Sequence, residues 1–170
     1  MKINSNYDFH QYKEFEKCVE DLIHSEPVLK MANFLHHNTT TCMDHSIYVA
    51  YISYCISKKL GLNYVSTARG ALLHDLFLYN WRETKKGQGR HGMHGFTHPK
   101  AALKNAEKYF DLNAIEKDII VKHMWPLTII PPKYAESYVV SFADKYCAVM
   151  ELASIGNKTS RNLKELYAIY

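Results

Sequence analysis

Four histidines and two aspartates in this chain have the side-chain chemistry and the sequence surroundings of metal ligands. They are His45, His74, Asp75, His98, His123 and Asp144. Three short, largely apolar strings contain members of this set, at residues 71–76, 119–123 and 139–144. A histidine or aspartate in an apolar segment is unfavourable without a partner, because burial removes the water that solvates it. A divalent metal ion is a partner that several imidazoles and two carboxylates can share, so the sequence predicts a metal centre.

Helical periodicity predicts the elements that position these residues. Helices are expected at residues 9–24, 27–35, 43–60, 64–77, 98–110, 114–124 and 134–154, with a short final helix after Gly156. Gly61 and Gly156 are expected to end helices, and Asn113 is expected to cap one. Pro99 is expected at the first position of the helix that His98 opens. No segment alternates convincingly between apolar and polar residues, so the predicted fold class is all-α.

The predicted helices place the candidate ligands where they can meet. His45 shares a stripe with Val49 and Ile52, which is expected to face the core. His74 and Asp75 are neighbours, and adjacent helix positions point about 100° apart. Both side chains can therefore reach one point only near a helix end, and the pattern places them there.

Size and composition are those of one globular domain. The chain has 170 residues, of which 47% are hydrophobic and 22% charged, which excludes a disordered chain. A single domain is expected over residues 1–170, with its core at roughly 29–151. The net charge of +4 suits a small anionic substrate. No dense stripe of lysine and arginine follows the chain, so a nucleic-acid polymer is not expected as partner.

The cysteines and the first residues indicate a reducing location. Cys18, Cys42, Cys55 and Cys147 form no CxxC motif, and the last two lie in apolar helical surroundings typical of buried thiols. The chain begins without the apolar core of a signal peptide. No apolar run approaches the length of about 20 residues that spans a bilayer. A cytoplasmic protein with no membrane association is therefore expected.

The order of the candidate ligands resembles that of a known family. His45, the His74-Asp75 pair and Asp144 resemble the H…HD…D signature of the HD-domain superfamily of metal-dependent phosphohydrolases. The resemblance covers roughly residues 29–151. It implies a helical bundle of five core helices, to which this chain adds N- and C-terminal helices.

His98 and His123 resemble the two additional histidines of the binuclear branches of that superfamily. The resemblance implies two divalent ions, each Mn, Fe, Co, Ni, Zn or Mg. One ion would be held by His45, His74, Asp75 and Asp144, and the other by His98, His123 and the same Asp75. Asp75 would then be the catalytic bridge. Two such ions about 3.5–4 Å apart share a hydroxide that attacks phosphorus in line.

Some features of the family are missing from this chain. The glycine and lysine often found soon after the HD pair are absent, and no Gly-Tyr-Pro motif follows His123, so hydrolysis of cyclic-di-GMP is not indicated. Trinuclear members carry a glutamate four residues before the first histidine, where this chain has Thr41. A third metal is therefore not expected.

Several further residues are candidate substrate contacts. Lys145, Lys122 and Arg82 flank the ligands and are candidates to bind a phosphate group. His94 lies in residues 81–97, which are expected to form a loop, and it is both a candidate substrate contact and a rival to His98 as ligand. The remaining histidines include His91 in the same loop and four others that fall outside the pattern. These four are expected at the surface: His10, His24, His36 and His37.

The function that the resemblance implies is hydrolysis of a phosphate ester of a nucleotide or another small molecule. The same ligand set also resembles the HD-domain oxygenases, which use a mixed-valence di-iron pair. A catalytically silent HD module that binds a ligand is a third possibility. Metal identity, together with tests for phosphate release and oxygen uptake, separates these alternatives.

Overall fold

The computed structural model describes residues 5–37, 40–79 and 94–152, and within these ranges it is almost entirely helical. The helices in chain order are α1 (Ser5–Ile23), α2 (Glu26–Lys30), α3 (Cys42–Lys59), α4 (Tyr64–Leu73), α5 (His94–Tyr109), α6 (Ala114–Lys122) and α7 (Ala135–Leu152). The 3₁₀ helix Met31–Asn33 and a two-stranded antiparallel sheet of β1 (Leu35–His37) and β2 (Thr40–Thr41) connect α2 to α3. The predicted all-α class is confirmed. The helix expected after Gly156 lies outside the described residues.

Short polar side chains begin the helices that carry the site. Thr41 precedes α3, where its hydroxyl accepts from the Asp44 N–H at 3.1 Å and the Asp44 carboxylate accepts from the Thr41 N–H. Asn113 and Glu116 form the same reciprocal pair at the start of α6, with both distances 3.0 Å. Each pair satisfies N–H groups that have no partner within the helix. Gly61 ends α3 with φ of 69°, a left-handed conformation that glycine adopts without strain.

Helices α3 and α4 lie at the centre of the bundle. α7 packs against both of them, α6 packs against α4 and α7, and α5 packs against α6. α1 also packs against α4. α4 packs closely against α6 at Gly70, where an added Cβ would lie 2.9 Å from the Cδ1 atom of Ile119. Only glycine fits that position without movement of α6, so Gly70 brings the C-terminal ends of these two helices together.

Two carboxylates, Asp118 and the buried Glu136, hold α7 against its neighbours. Asp118, on α6, accepts hydrogen bonds from the N–H of Lys133, at 2.9 Å, and from the hydroxyl of Ser137, at 2.7 Å. Glu136 accepts from the N–H of Asn63, which caps α4, at 3.0 Å. These contacts fix the first turn of α7 relative to α4 and α6, and thereby the direction in which α7 runs.

The structure corrects four expectations. The helix expected at residues 27–35 ends at Lys30, before the 3₁₀ helix and β1. The small sheet was not predicted, and α4 ends at Leu73 rather than near Phe77. α5 begins at His94, so Pro99 lies inside the helix instead of at its first position. Because proline has no N–H, it removes one hydrogen bond in the second turn of α5, which the remaining turns tolerate. Residues 94–97 are therefore helical, while the rest of the expected loop lies outside the described residues. Among the described helices, none has the length and apolar character needed to cross a bilayer.

Candidate metal centre

The six residues predicted from the sequence as ligands lie buried together in the middle of the bundle. Their exposed fractions range from 0 to 8%. In two groups of three, every potential ligand atom lies within 4.8 Å of the others. One group is His45, His74 and Asp144, and the other is His74, Asp75 and His123. The sequence thus identified residues from distant parts of the chain that the fold brings to one point.

His74 and His123 are the residues at which α4 and α6 end. Each follows the last helical residue, and each points its Nδ1 atom at the carbonyl oxygen three residues earlier. The distance is 2.6 Å from His74 to Ala71 and 2.8 Å from His123 to Ile120. A carbonyl oxygen only accepts, so both Nδ1 atoms carry the proton. The neutral ring then has its lone pair on Nε2, the atom that faces the cluster.

Asp75 separates the imidazoles into two sets. Its Oδ1 atom lies 3.3 Å from His98 Nε2 and 3.7 Å from His123 Nε2. Its Oδ2 atom lies 3.6 Å from His74 Nε2. A carboxylate that turns one oxygen toward each set has the arrangement that a bridging ligand requires.

His98 faces His123 across a short gap. Their Nε2 atoms are 2.8 Å apart. Two imidazole nitrogens in adjacent positions on one ion, with metal–nitrogen distances of about 2.0–2.1 Å, lie about 2.9 Å apart if they meet at a right angle. Asn105 lies two turns after His98 on α5 and donates to the carbonyl of Leu76 at 2.8 Å, which ties α5 to the segment that carries Asp75. The spacing of the two nitrogens therefore suits a shared ion.

His45 and Asp144 form the opposite side of the cluster. His45 Nε2 lies 3.1 Å from Asp144 Oδ1, which also lies 3.7 Å from His74 Nε2. His45 is on the first turns of α3, and Asp144 is midway along α7. Their contact spans 99 residues of sequence, so it depends on the packing of α3 against α7.

Two residues in the cluster were not predicted from the sequence. His36, expected at the surface, has a side chain that is only 15% exposed and stacks on the ring of His45, with centroids 3.8 Å apart. Its Nε2 atom lies 3.3 Å from Asp75 Oδ2. Glu151, at the end of α7, lies at the Nδ1 edges of both rings, with Oε1 2.9 Å from His45 Nδ1 and Oε2 3.6 Å from His36 Nδ1.

A sequence signal existed for one of these two residues but not for the other. Glu151 follows Asp144 by seven residues, two helical turns, and so shares its face of α7. His36 lies in a strand of three residues with no periodicity to reveal its direction, which is why it was wrongly placed at the surface. Of the other expected surface histidines, His24 is exposed, as is His10. The side chain of His37 is outside the described part.

The charges in the cluster depend on one another. Burial would raise the pKa of Asp75 and Asp144, but neighbouring imidazoles, His74 among them, outweigh burial and hold both pKa values well below the usual range. Burial, with the charges of His74 and His98, lowers the pKa of His123 to about 3. The cluster therefore contains two ionised carboxylates and at least one neutral imidazole, which are the protonation states that metal ligands require.

Glu151 and His36 perturb each other in opposite directions. Burial alone would lower the pKa of His36, but the carboxylates of Asp75 and Glu151 outweigh it and raise that pKa to about 10. Burial would raise the pKa of Glu151, but the imidazoles of His36 and His45 outweigh burial and lower that pKa to about 2. The pair adds a third carboxylate and a further imidazole to the cluster.

Two buried polar atoms support a metal ion at this place. Among the described residues, neither His74 Nε2 nor Asp75 Oδ1 has a hydrogen-bond partner, although both are fully buried. A buried polar atom without a partner is costly, and an ion between these atoms would remove that cost. Imidazole nitrogens and carboxylate oxygens are donors that divalent first-row metals accept. The residues present therefore fit the ion that the cluster implies.

Lys145, a predicted phosphate contact, has its ammonium group bound to protein oxygens. Its Nζ atom donates to the carbonyls of His123 and Ser141, at 3.0 and 3.1 Å, and to the Ser141 hydroxyl, at 3.0 Å. That hydroxyl in turn donates to the carbonyl of Trp125 at 2.6 Å. Burial lowers the pKa of Lys145. In this arrangement Lys145 ties the end of α6, and with it His123, to α7.

The structure describes the other predicted substrate contacts only in part. Lys122 is the last residue of α6, next to His123, and is half-buried. His94 is the first residue of α5, but its side chain is outside the described part, and Arg82 lies entirely outside it. His91 also lies outside the described residues. Phosphate binding by Lys145, Lys122, Arg82 and His94 stays a prediction.

Comparison with known proteins agrees with the fold and with the cluster. The HD domain family matches residues 43–149, more than half of the chain, and the match includes all six predicted ligands. The chain therefore belongs to the HD-domain family. Searches of the curated proteins and of the solved structures found no significant match. The superfamily consists mostly of metal-dependent hydrolases, and the buried histidines and aspartates indicate divalent metal binding.

Proposed function

We propose that this protein is a phosphohydrolase that uses two divalent ions to cleave a phosphate ester of a nucleotide or of another small anionic molecule. The observation that carries the proposal is the position of Asp75, whose two carboxylate oxygens face different sets of imidazoles. A bridging carboxylate is the residue that a two-ion centre needs and that a single ion does not.

The ligands divide between the two ions according to these contacts. His45, His74, Asp144 and one oxygen of Asp75 would hold the first ion. His98, His123 and the other oxygen of Asp75 would hold the second. Such a pair of ions supplies Lewis-acid stabilisation of charge on the phosphoryl oxygens and a water of lowered pKa as nucleophile.

The protein itself holds the ligand side chains in fixed orientations before an ion binds. The backbone carbonyls at the ends of α4 and α6 fix the tautomers of His74 and His123, so both present Nε2 to the centre. Lys145 secures the turn after His123 to α7. Because the bundle holds these partners in place, ligand positions should change little when ions or substrate bind.

We further propose that the substrate is recognised at the edge of the centre by cationic side chains. Lys122 and Arg82 are candidates, because each is adjacent in sequence to the segments that carry ligands. His94 is a candidate because it lies one helical turn before His98. Lys145 would contact phosphate only if its ammonium group left the oxygens of His123 and Ser141.

The test is anaerobic reconstitution of the metal-free protein with Mn²⁺ or Co²⁺, followed by measurement of phosphate release. The substrate panel contains nucleoside monophosphates, dinucleotides and an aryl phosphate. The expected result is release that depends on metal and proceeds without oxygen. The matched control is Asp111→Asn, which alters an exposed carboxylate in the connection between α5 and α6 and should leave the rate unchanged.

Other outcomes would overturn the proposal in favour of a specific alternative. Oxygen uptake by an iron-loaded sample, with no phosphate release under any metal, would identify an oxygenase that uses a di-iron pair. Metal binding with neither activity would identify a binding module.

A further inference from the structure

A pair of stacked imidazoles extends the cluster beyond the residues of the HD signature. The rings of His36 and His45 are nearly parallel, with an interplanar angle of 21° and centroids 3.8 Å apart. Both Nδ1 atoms point to one carboxylate, that of Glu151. Both Nε2 atoms point the opposite way, His36 toward Asp75 and His45 toward Asp144. The two rings therefore present the same nitrogen to the same side of the cluster.

The backbone before α3 is built to direct His36 inward. β1 and β2 pair Leu35 with Thr41 and His37 with Thr40, so β1 has one more residue than β2 between these pairs. The extra residue is His36, which makes this a β-bulge. A bulge bends the strand locally and can redirect the side chain at that point. Leu35 is 46% exposed, whereas the side chain of His36 is only 15% exposed.

Glu151 lies on the Nδ1 side of both rings and leaves their Nε2 sides facing the cluster. His45 Nδ1 lies at hydrogen-bond distance from Glu151 Oε1, 2.9 Å, so that nitrogen carries a proton, whereas His36 Nδ1 lies 3.6 Å from Oε2, an ion-pair rather than a hydrogen-bond distance. An ion on the Nε2 side would displace any proton held there, and each ring would then offer its Nε2 lone pair with Glu151 on its Nδ1 side. In the group of His36, His45 and Asp75, the potential ligand atoms all lie within 4.8 Å of one another. An ion beside Asp75 Oδ2 is thus within reach of two imidazoles that Glu151 has oriented.

We propose that His36 is a further metal ligand at the centre, and that Glu151 is the positioning residue that fixes His36 and His45 as a pair of Nε2 donors. The inference rests on the proposed metal-dependent function, because it requires an ion in the cluster, but it does not depend on the reaction. It raises the number of imidazoles around the centre from four to five. It also explains why a buried carboxylate stands at the end of α7, on the far side of the rings from the other two carboxylates.

The most direct test uses the unaltered protein. Full-length protein labelled with ¹⁵N-histidine is loaded with ¹¹³Cd²⁺, and scalar couplings between cadmium and imidazole nitrogens are recorded. The expected result is a coupling to Nε2 of His36, together with protonated Nδ1 atoms on His36 and His45. Absence of a His36 coupling, or failure of the ion to bind, would overturn the proposal.

Variants of His36 and Glu151 provide a second test. The affinity for Co²⁺ and its visible spectrum would not change if these residues only stabilised the fold. Co²⁺ affinity, measured by competition with a chelating dye, and the visible spectrum of bound Co²⁺ are compared for wild type, His36→Gln and Glu151→Gln. Both variants should bind one Co²⁺ at least about tenfold more weakly, with a changed spectrum for His36→Gln. His24→Gln, at an exposed histidine, should match wild type. Circular dichroism of the metal-free proteins shows whether each variant is folded.

The outcome separates this inference from the proposed function. Unchanged affinity and spectrum in folded His36→Gln, in a protein that does release phosphate, would overturn the ligand assignment and leave the function standing. Loss of affinity in a protein that hydrolyses no ester would overturn the function and support the ligand assignment. If His36→Gln does not fold, the cadmium couplings of the wild type decide the question.

Discussion

The rings of His74 and His123 meet edge to face, with centroids 4.9 Å apart, at the point where two helices end side by side. Each ring donates its Nδ1 proton to the carbonyl three residues earlier. The last carbonyls of a helix have no partner within it, so the same hydrogen bond satisfies the helix end and orients the imidazole. The close approach of α4 and α6 therefore places two matched nitrogen donors beside Asp75.

Replacement of Asp75 by asparagine is expected to remove the bridge while the protein stays folded. The amide has the shape of the carboxylate but no negative charge, and one of its two ends donates instead of accepting. Turnover should fall by a factor on the order of 10³ or more. Binding should fall from two ions to one or none, measured by elemental analysis after dialysis. Retained turnover with two bound ions would show that Asp75 does not bridge.

Gly70→Ala tests whether the approach of α4 and α6 determines the site. Alanine gains up to about 1 kcal/mol in helix propensity, but its Cβ would lie 2.9–3.0 Å from three side-chain atoms of Ile119. Overpacking costs about 1–3 kcal/mol, and Ile119 lies on a packed helix that cannot easily move. We expect a net loss of about 1–2 kcal/mol in urea unfolding and weaker metal binding, because His74 and His123 move apart.

The rescue experiment for Gly70→Ala is removal of the opposing side chain. In the double variant Gly70→Ala/Ile119→Ala, the clash is absent and only the cavity cost of Ile119→Ala should remain. The double variant should therefore be more stable than the sum of the single changes predicts. Strict additivity would contradict the close contact between the two helices.

Thr41 is expected to stabilise the helix that carries His45 through its hydroxyl alone. Thr41→Val keeps the shape of the side chain but removes the acceptor for the Asp44 N–H. The expected loss in free energy of unfolding is about 1 kcal/mol. Thr41→Ser, which retains the hydroxyl, should restore most of the stability. A loss of stability in Thr41→Ser with none in Thr41→Val would show that the methyl group, not the cap, is responsible.

Local chemistry made many of these features predictable from the sequence. Asn113 and Gly61 act through hydrogen bonds and backbone freedom within a few residues, so their roles follow from residue type. The buried positions of His74 and His123 followed from apolar neighbours in the same helix. These signals are local, and they are sufficient for helix ends and for which helix face is buried.

The rest depended on contacts between distant segments. The inward direction of His36 is set by a bulge and by Glu151, which is 115 positions later in the printed sequence. Lys145 looked like a phosphate ligand because it carries a charge beside Asp144, but its environment is set by the carbonyl of His123 across the helix interface. Neither relationship leaves a periodic pattern, so the sequence alone did not reveal it.

Tyr54 gives a prediction for alkaline pH that does not involve the metal centre. Its side chain is fully buried, and burial raises the pKa of its hydroxyl to about 12. The folded protein thus keeps this proton at pH values where the unfolded chain, with a pKa of about 10, has lost it. The stability that Tyr54 contributes is present below about pH 10 and is lost as pH rises toward 12.

The role of Tyr54 at alkaline pH is tested by urea unfolding at several pH values. The proteins compared are wild type, Tyr54→Phe and Tyr138→Phe. Phenylalanine does not ionise, so Tyr54→Phe should lose less stability than wild type between about pH 9 and about pH 11. Tyr138 is 42% exposed, and its replacement should leave the slope as in wild type. The same slope in all three proteins would contradict the assignment to Tyr54.

Asp75 is proposed to hold one ion with each of its two carboxylate oxygens. Anomalous scattering tests this most directly. Crystals of the protein loaded with Mn²⁺ or Co²⁺ would be measured on both sides of the absorption edge of the metal. The account predicts two peaks, one between Asp75 Oδ1 and the pair His98 and His123, and one between Asp75 Oδ2 and the ring of His74. A single peak, with His98 and His123 turned away from it, would contradict the account.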